Sequence, residues 1–153
     1  MEHTLIVLKP DCVQRRLLGR IIQRFEDKGL TVVAMKLIQL TAELAERQYA
    51  PHKGKPFYSR LIQYITRGPV VVMVVYGYNA IGACRKLAGA TFGSDAEPGT
   101  IRGDFAVSAT YNLVHASDGP ESARAEIDLY FRPEEILNYQ TAMDSWVKRA
   151  DET

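Results

Sequence analysis

The sequence is poor in the residues that build covalent or metal-centred scaffolds. Its 153 residues contain two cysteines, Cys12 and Cys84, with no C-x-x-C spacing, which excludes a disulfide-stapled domain and reads as two free thiols. Three histidines, His3, His52 and His115, show no H-x-x-x-H spacing, so a zinc ion held by protein ligands is not expected. Charge of one sign is missing as well. Nineteen basic residues face eighteen acidic ones, a formal charge of +1, so no global field favours nucleic acid or an anionic membrane, and an anionic partner must be held by local clustering. The apolar run Leu5-Ile6-Val7-Leu8 is far too short for a membrane span or a signal peptide, and Met1-Glu2-His3-Thr4 has no basic lead. A cytoplasmic protein without a membrane partner is expected. Neither G-x-x-x-x-G-K-[ST] nor G-x-G-x-x-G occurs, and Gly54-Lys55 lacks the upstream glycine, which excludes a P-loop or a dinucleotide fold. No repeat, low-complexity tract or Pro/Ser-rich linker divides the chain.

What is present suits one compact domain over residues 1–153, with 46% hydrophobic and 24% charged residues. The β-branched runs Thr4 to Leu8 and Val70 to Val75 predict buried strands, and Leu30 to Lys36 predicts another. Leu18, Ile21, Ile22 and Phe25 fall at helical spacing before Gly29, so an amphipathic helix is predicted from about Leu17 to Lys28. Thr41 is placed to cap a helix through Gln48, Phe57 to Thr66 repeats the apolar spacing, and Asn79 is placed to cap a helix ending near Gly89. A fourth strand is predicted over Asp104 to Ser108, and Pro120 opens a helix through Ile127 to about Leu129. The order describes an α+β sandwich. Between Gly89 and Gly103 a long stretch lacks apolar periodicity, and ordered loops of that length usually bind something.

Candidate chemistry is scattered. Lys9 follows a strand, Arg85 falls late in a helix, and Arg102 lies in the long loop; these are the cations that phosphates would need. A solvated Lys9 and an Arg102–Asp104 pair explain the same residues equally well. The densest segment is Asn112-Leu113-Val114-His115-Ala116-Ser117-Asp118, running into the helix start at Pro120. A neutral imidazole attacks phosphorus when an acceptor holds its second nitrogen, and Glu126 in the next helix is placed to be that acceptor. By pattern alone, a hydrogen-bonded structural histidine beside ordinary helix caps is the simpler reading. Phe57 and Tyr49 likewise suit either core packing or stacking on a flat base.

Together, Leu8-Lys9-Pro10-Asp11, Lys55-Pro56-Phe57, Gly68-Pro69-Val70-Val71, Pro98-Gly99-Thr100-Ile101-Arg102-Gly103-Asp104-Phe105 and Asn112 to Ser122 closely resemble the nucleoside diphosphate kinase family, in order and spacing, from about Thr4 to Trp146. The resemblance implies an α+β, ferredoxin-like fold, a four-stranded antiparallel sheet with helices packed on it. It also implies ping-pong transfer of the γ-phosphoryl of a nucleoside triphosphate such as ATP, through a phosphohistidine at His115, to a nucleoside diphosphate. By the family pattern Lys9 and Arg102 contact the transferring phosphate, Arg85 and Thr91 the adjacent phosphates, and Asn112 with Lys9 the ribose. Glu126 orients His115 with support from Ser117, Tyr49 lies near His115 and the phosphates, and Phe57 beside Leu61 stacks on the base, which predicts broad base tolerance.

The resemblance implies Mg2+ carried on the nucleotide phosphates, with no protein metal site. It further implies a homo-oligomer, with the stretch through Trp146 favouring a hexamer over a tetramer. Phe92-Gly93, Tyr111, Gly119-Pro120 and Tyr76 depart from the family's usual residues without removing a catalytic group. Three rival activities follow from the same features: a nucleic-acid-binding ferredoxin-like module, a phosphohistidine phosphatase, and a protein histidine kinase. The first lacks an RNP-type motif and a basic face, so a nucleic acid partner is not expected.

Overall fold

A computed structural model describes residues 1–147. Chain order is β1 (Glu2–Leu8), α1 (Pro10–Gln14), α2 (Leu18–Asp27), β2 (Thr31–Gln39), α3 (Ala42–Gln48), α4 (Tyr58–Ile65), β3 (Pro69–Gly77), α5 (Ala80–Ala88), α6 (Ile101–Phe105), β4 (Val114–Ala116), α7 (Pro120–Tyr130) and α8 (Asp144–Val147). Single 3-10 turns cover Ala50–His52, Gly93–Asp95 and Pro133–Glu135. The sheet runs β2-β3-β1-β4 with every neighbour antiparallel, the ferredoxin-like arrangement.

Helices cover both faces of the sheet, which is why β1 and β3 read as unbroken apolar runs instead of alternating ones. Ile6, Leu8, Met73 and Val75 point to one face, where Ile21 and Phe25 of α2 and Ala80, Cys84 and Ala88 of α5 meet them. Leu5, Val7, Val70, Val72 and Val74 point to the other, against Ala45 of α3, Ile65 of α4 and Ile127 and Tyr130 of α7. Strand β2 lies at the edge, carries a register shift between Val32 and Ala34, and leaves Met35 and Leu37 exposed.

The fourth strand is not where the apolar pattern put it. Asp104 to Ser108 is not a strand: Thr100 Oγ1 accepts from Gly103 N (3.0 Å) and caps the short helix α6, Ala106 N bonds Arg102 O, and Val107 is exposed. Asp104 is turned back onto Gly99 N and Arg24, which also removes the alternative of an Arg102–Asp104 pair. Val114–Ala116 is the true fourth strand, and Arg102 therefore sits in a helix, not an irregular loop. Gly103 is required there, because a Cβ would fall 1.9 Å from Glu97 O. Asn79 precedes α5 in a left-handed conformation (φ 48°), and its side chain makes no cap bond. Thr41 does cap α3, its hydroxyl accepting from Leu44 N. The polar tail expected after Trp146 lies, beyond Val147, outside the described residues.

Candidate active site

Register places the central histidine. In an antiparallel pair, opposed residues share a face, and His115 of β4 opposes Val7 of β1. Its ring thus points to the side occupied by α3, α4 and α7, while its neighbours Val114 and Ala116 enter the opposite core. From α7, both carboxylate oxygens of Glu126 lie 3.0 Å from His115 Nε2. Ser117 Oγ donates to Glu126 Oε2 at 2.6 Å and accepts from Leu5 N at 3.3 Å, so strand pairing fixes the group that fixes the carboxylate. A carboxylate accepting at Nε2 puts the proton there, and Nδ1 carries the lone pair. Tyr49 presents a ring edge to the imidazole, centroids 6.2 Å apart at 82°. Burial, with smaller contributions from Tyr130 and Glu126, pushes its phenol far above the usual range, so it stays neutral.

The cations gather along the seam between β1, α6 and the segment entering β4. Lys9 follows β1 directly; its Nζ donates to Asn112 Oδ1 at 2.6 Å and its backbone N–H to Leu113 O at 2.8 Å. Burial lowers its ammonium to about 8, Arg102 adds to the fall, and Asp11 opposes it. Arg102 is also buried; Nε donates to Asn112 O, one terminal nitrogen to Gly89 O and Ala90 O, and the other to Val114 O at 2.6 Å. Desolvation, and then Arg85, lower it to about 10. Arg85 on α5 reaches Ala116 O at 3.5 Å, and Asn112 Nδ2 donates to Thr91 O at 2.8 Å.

Strain sits between Asn112 and His115. Leu113 is fully buried with φ 70°, and it is pinned by the Lys9 bond on one side and by Asp11 Oδ2, which accepts its N–H at 3.1 Å, on the other. Asp11 also accepts a short bond from Tyr64 O–H, and the Tyr64 ring lies 6.0 Å below the Lys9 ammonium. Phe57, immediately before α4, is exposed, with the His52 ring 5.5 Å away, while Leu61 packs on the core beneath. Thr91 is exposed beside Asn112, held through its carbonyl.

Thus Lys9, Arg102 and Asn112 form one hydrogen-bonded group and His115, Glu126 and Ser117 another, against which the Tyr49 ring packs, and Val114 O joins Arg102 to the residue before His115. Phe57, just before α4, and Leu61 on it stand apart. Gln48, Asp11, Tyr64 and Leu113 adjoin these groups and carried no signal of their own, although Asp11 and Leu113 lay inside the Leu8–Asp11 and Asn112–Ser122 motifs. Among the described residues no group of three or more His, Cys, Asp or Glu is placed to hold a metal ion, and no helix is long and apolar enough to cross a membrane.

The sequence profile of the nucleoside diphosphate kinase family matches residues 2–136. A nucleoside diphosphate kinase from Thermococcus kodakarensis is 58% identical over 147 residues, spanning 94% of this chain and 84% of that protein. One from Pyrococcus furiosus is 57% identical over 152 residues, spanning 97% and 94%. Among solved structures, a nucleoside diphosphate kinase from Halobacterium salinarum in complex with CDP superposes with a TM-score of 0.94 at 42% identity, covering 96% of this chain and 98% of that one. A family protein from Babesia bovis gives 0.92 at 42% identity, covering 97% and 100%. Sequence match, fold and superposition agree: this chain belongs to the nucleoside diphosphate kinase family of phosphotransferases.

Proposed function

We propose that His115 is the phosphoryl carrier of a ping-pong exchange between nucleoside tri- and diphosphates, run within a single domain. The observation that carries the assignment is the grip of Glu126 on Nε2, which keeps a lone pair on Nδ1. In the first half-reaction Nδ1 bonds to the γ-phosphorus as the bond from that phosphorus to the bridging oxygen breaks, and the electron pair leaves on the diphosphate. The ring becomes a phosphoimidazolium with its proton still at Nε2, and the Glu126 carboxylate stabilises that charge. The second half-reaction reverses these steps onto a different diphosphate.

Lys9 and Arg102 supply positive charge at the transferring phosphate, Arg85 and Thr91 at the adjacent phosphates, and Asn112 with Lys9 binds the ribose. Four Arg102 N–H contacts go to backbone carbonyls, and a guanidinium has five N–H groups, so Arg102 offers one donor and its whole charge to a phosphate. Phe57 stacks on the base beside Leu61, and Tyr49 walls the imidazole. Mg2+ fits only as a passenger of the nucleotide phosphates, because Glu126, Asp11 and Asp118 are engaged by His115 and Ser117, by Tyr64 and Leu113, and by Ser122. When bound it neutralises phosphate charge.

We assign the protein to the cytoplasm, supported by its free buried Cys12 and Cys84. The exposed Met35 and Leu37 on edge strand β2 and the exposed Trp146 support a homo-oligomer, for which a hexamer is favoured over a tetramer; sedimentation as a stable dimer or tetramer refutes the hexamer.

Incubation with γ-labelled ATP is expected to give an acid-labile phosphoprotein that a range of diphosphates discharge. His115→Ala is expected to abolish labelling. Near-parental exchange by that variant removes the assigned nucleophile. Loss of label to water instead of to a diphosphate supports the phosphatase, and transfer to a protein supports the histidine kinase.

A further inference from the structure

Gln48 is the last residue of α3, its side chain buried on the same face of the sheet as His115. Its Nε2 lies 3.4 Å from His115 Nε2, the nitrogen already gripped by both oxygens of Glu126. Its Oε1 is buried without a hydrogen-bond partner among the described residues. A buried carboxamide that leaves one end unsatisfied costs stability, and a hydrophobic residue of the same length would fill the space without that cost.

We propose that Gln48 is a positioning residue for phosphoryl transfer, acting through the proton on His115 Nε2. The inference rests on His115 being the carrier. A ring N–H facing an amide N–H sets donor against donor. With the amide turned over in the same envelope, its oxygen becomes the second acceptor on Nε2–H. Two acceptors, one charged and one neutral, hold the Nε2–H tautomer and leave Nδ1 free to attack. They also stabilise the phosphoimidazolium, in which the N–H is more acidic and its hydrogen bonds are stronger. Gln48 forms no bond with phosphorus and loses no proton; it changes only how easily the ring accepts positive charge. The other charged or titratable groups acting on this ring are Glu126 of α7, Asp118 and His52, with the Tyr49 ring edge beside it.

The test compares Gln48→Met, which keeps length and loses the acceptor, with Gln48→Glu, which keeps size and supplies a charged one. At fixed ATP and ADP, the Met variant is expected to hold about tenfold less phosphoenzyme and to be labelled about tenfold more slowly, the worth of one modest hydrogen bond to a charged group, with KM unchanged. The Glu variant is expected to hold at least the parental level of phosphoenzyme, with the acid limb of its labelling rate moved to higher pH. Parental rate and level in the Met variant, a change confined to KM, or an unmoved acid limb in the Glu variant overturns the proposal. If the Met variant does not melt as the parent does, the acid limb of the Glu variant decides alone. A parent that takes no label refutes His115 as carrier; a labelled parent with unaffected variants refutes only the role of Gln48.

Discussion

Replacing Lys9 with methionine should stabilise the empty protein while disabling it. A lysine held at about 8 instead of 10.5 bears its charge at neutral pH at a cost of about 3 kcal/mol, drawn chiefly from burial and then from Arg102. Methionine fills a similar volume and removes that cost. Against the gain, Asn112 Oδ1 loses the donor it has at 2.6 Å, which costs about 1–2 kcal/mol. The net gain at pH 7 is about 1 kcal/mol, or about 3 °C in Tm for a chain of this size.

The pH dependence gives the sharper test. Between about 8 and 10.5 the unfolded lysine keeps its proton and the folded one does not, so the unfolded state binds more protons and the parent gains stability as pH rises. Relative to the Met variant, that gain totals about 3 kcal/mol across the window and reverses the order of the two proteins above pH 9 or so. Urea titrations of both proteins from pH 7 to 10.5 measure it, and other titrating groups cancel in the difference. A constant difference across that range refutes the account of Lys9. In parallel, under the proposed contact of Lys9 with the transferring phosphate, the parental kcat/KM should fall above about pH 8, as the free enzyme loses the charge of that ammonium.

Two further predictions concern the other halves of the site. Glu126→Gln keeps an acceptor near Nε2 and removes its charge, so kcat should fall about 10- to 100-fold with little change in KM; an effect confined to KM contradicts the assigned role. Phe57→Ala removes a ring that is 43% exposed, so stability should change by less than about 0.5 kcal/mol while KM rises for purine and pyrimidine nucleotides alike. A base-selective effect is the contrary result.

How far the fold was legible depended on burial. Strands β1 and β3 lie under helices on both faces, so their sequences are continuous β-branched runs that no helix would tolerate as well. The α2 stripe of Leu18, Ile21, Ile22 and Phe25 was equally plain. Strand β4 was missed because it has three residues with a polar histidine at its centre, whereas Phe105-Ala106-Val107 just upstream imitates a strand. What turns that imitation into a helix end is a threonine cap and a carboxylate shared with Arg24, contacts that span up to 80 residues. The site divides the same way. Lys9, His115 and Arg102 stood out through local motifs, but Lys9 meets Asn112 across 103 residues, and nothing near Gln48 or Tyr64 in sequence announces the groups they face.

The cations themselves indicate what the site lacks. Among the described residues, Lys9, Arg85 and Arg102 take part in no ion pair; their hydrogen bonds end on carbonyls and on an amide oxygen. Carbonyls orient a cation without neutralising it, so each keeps its charge and makes the next one costlier: Arg102 lowers Lys9, and Arg85 lowers Arg102. Asp11 is the one acid that eases Lys9, and its oxygens are already committed to Tyr64 and Leu113. Meanwhile the Glu126 carboxylate is committed to His115 Nε2 and to Ser117, and pairs with none of these cations. Positive charge on Lys9 and Arg102 is therefore left without an ion-pair partner, which costs stability in the empty protein. Under the proposed contacts, a polyphosphate bound by Lys9 and Arg102 offsets that cost. The energy stored in crowding buried cations is thus released where the reacting group must be held.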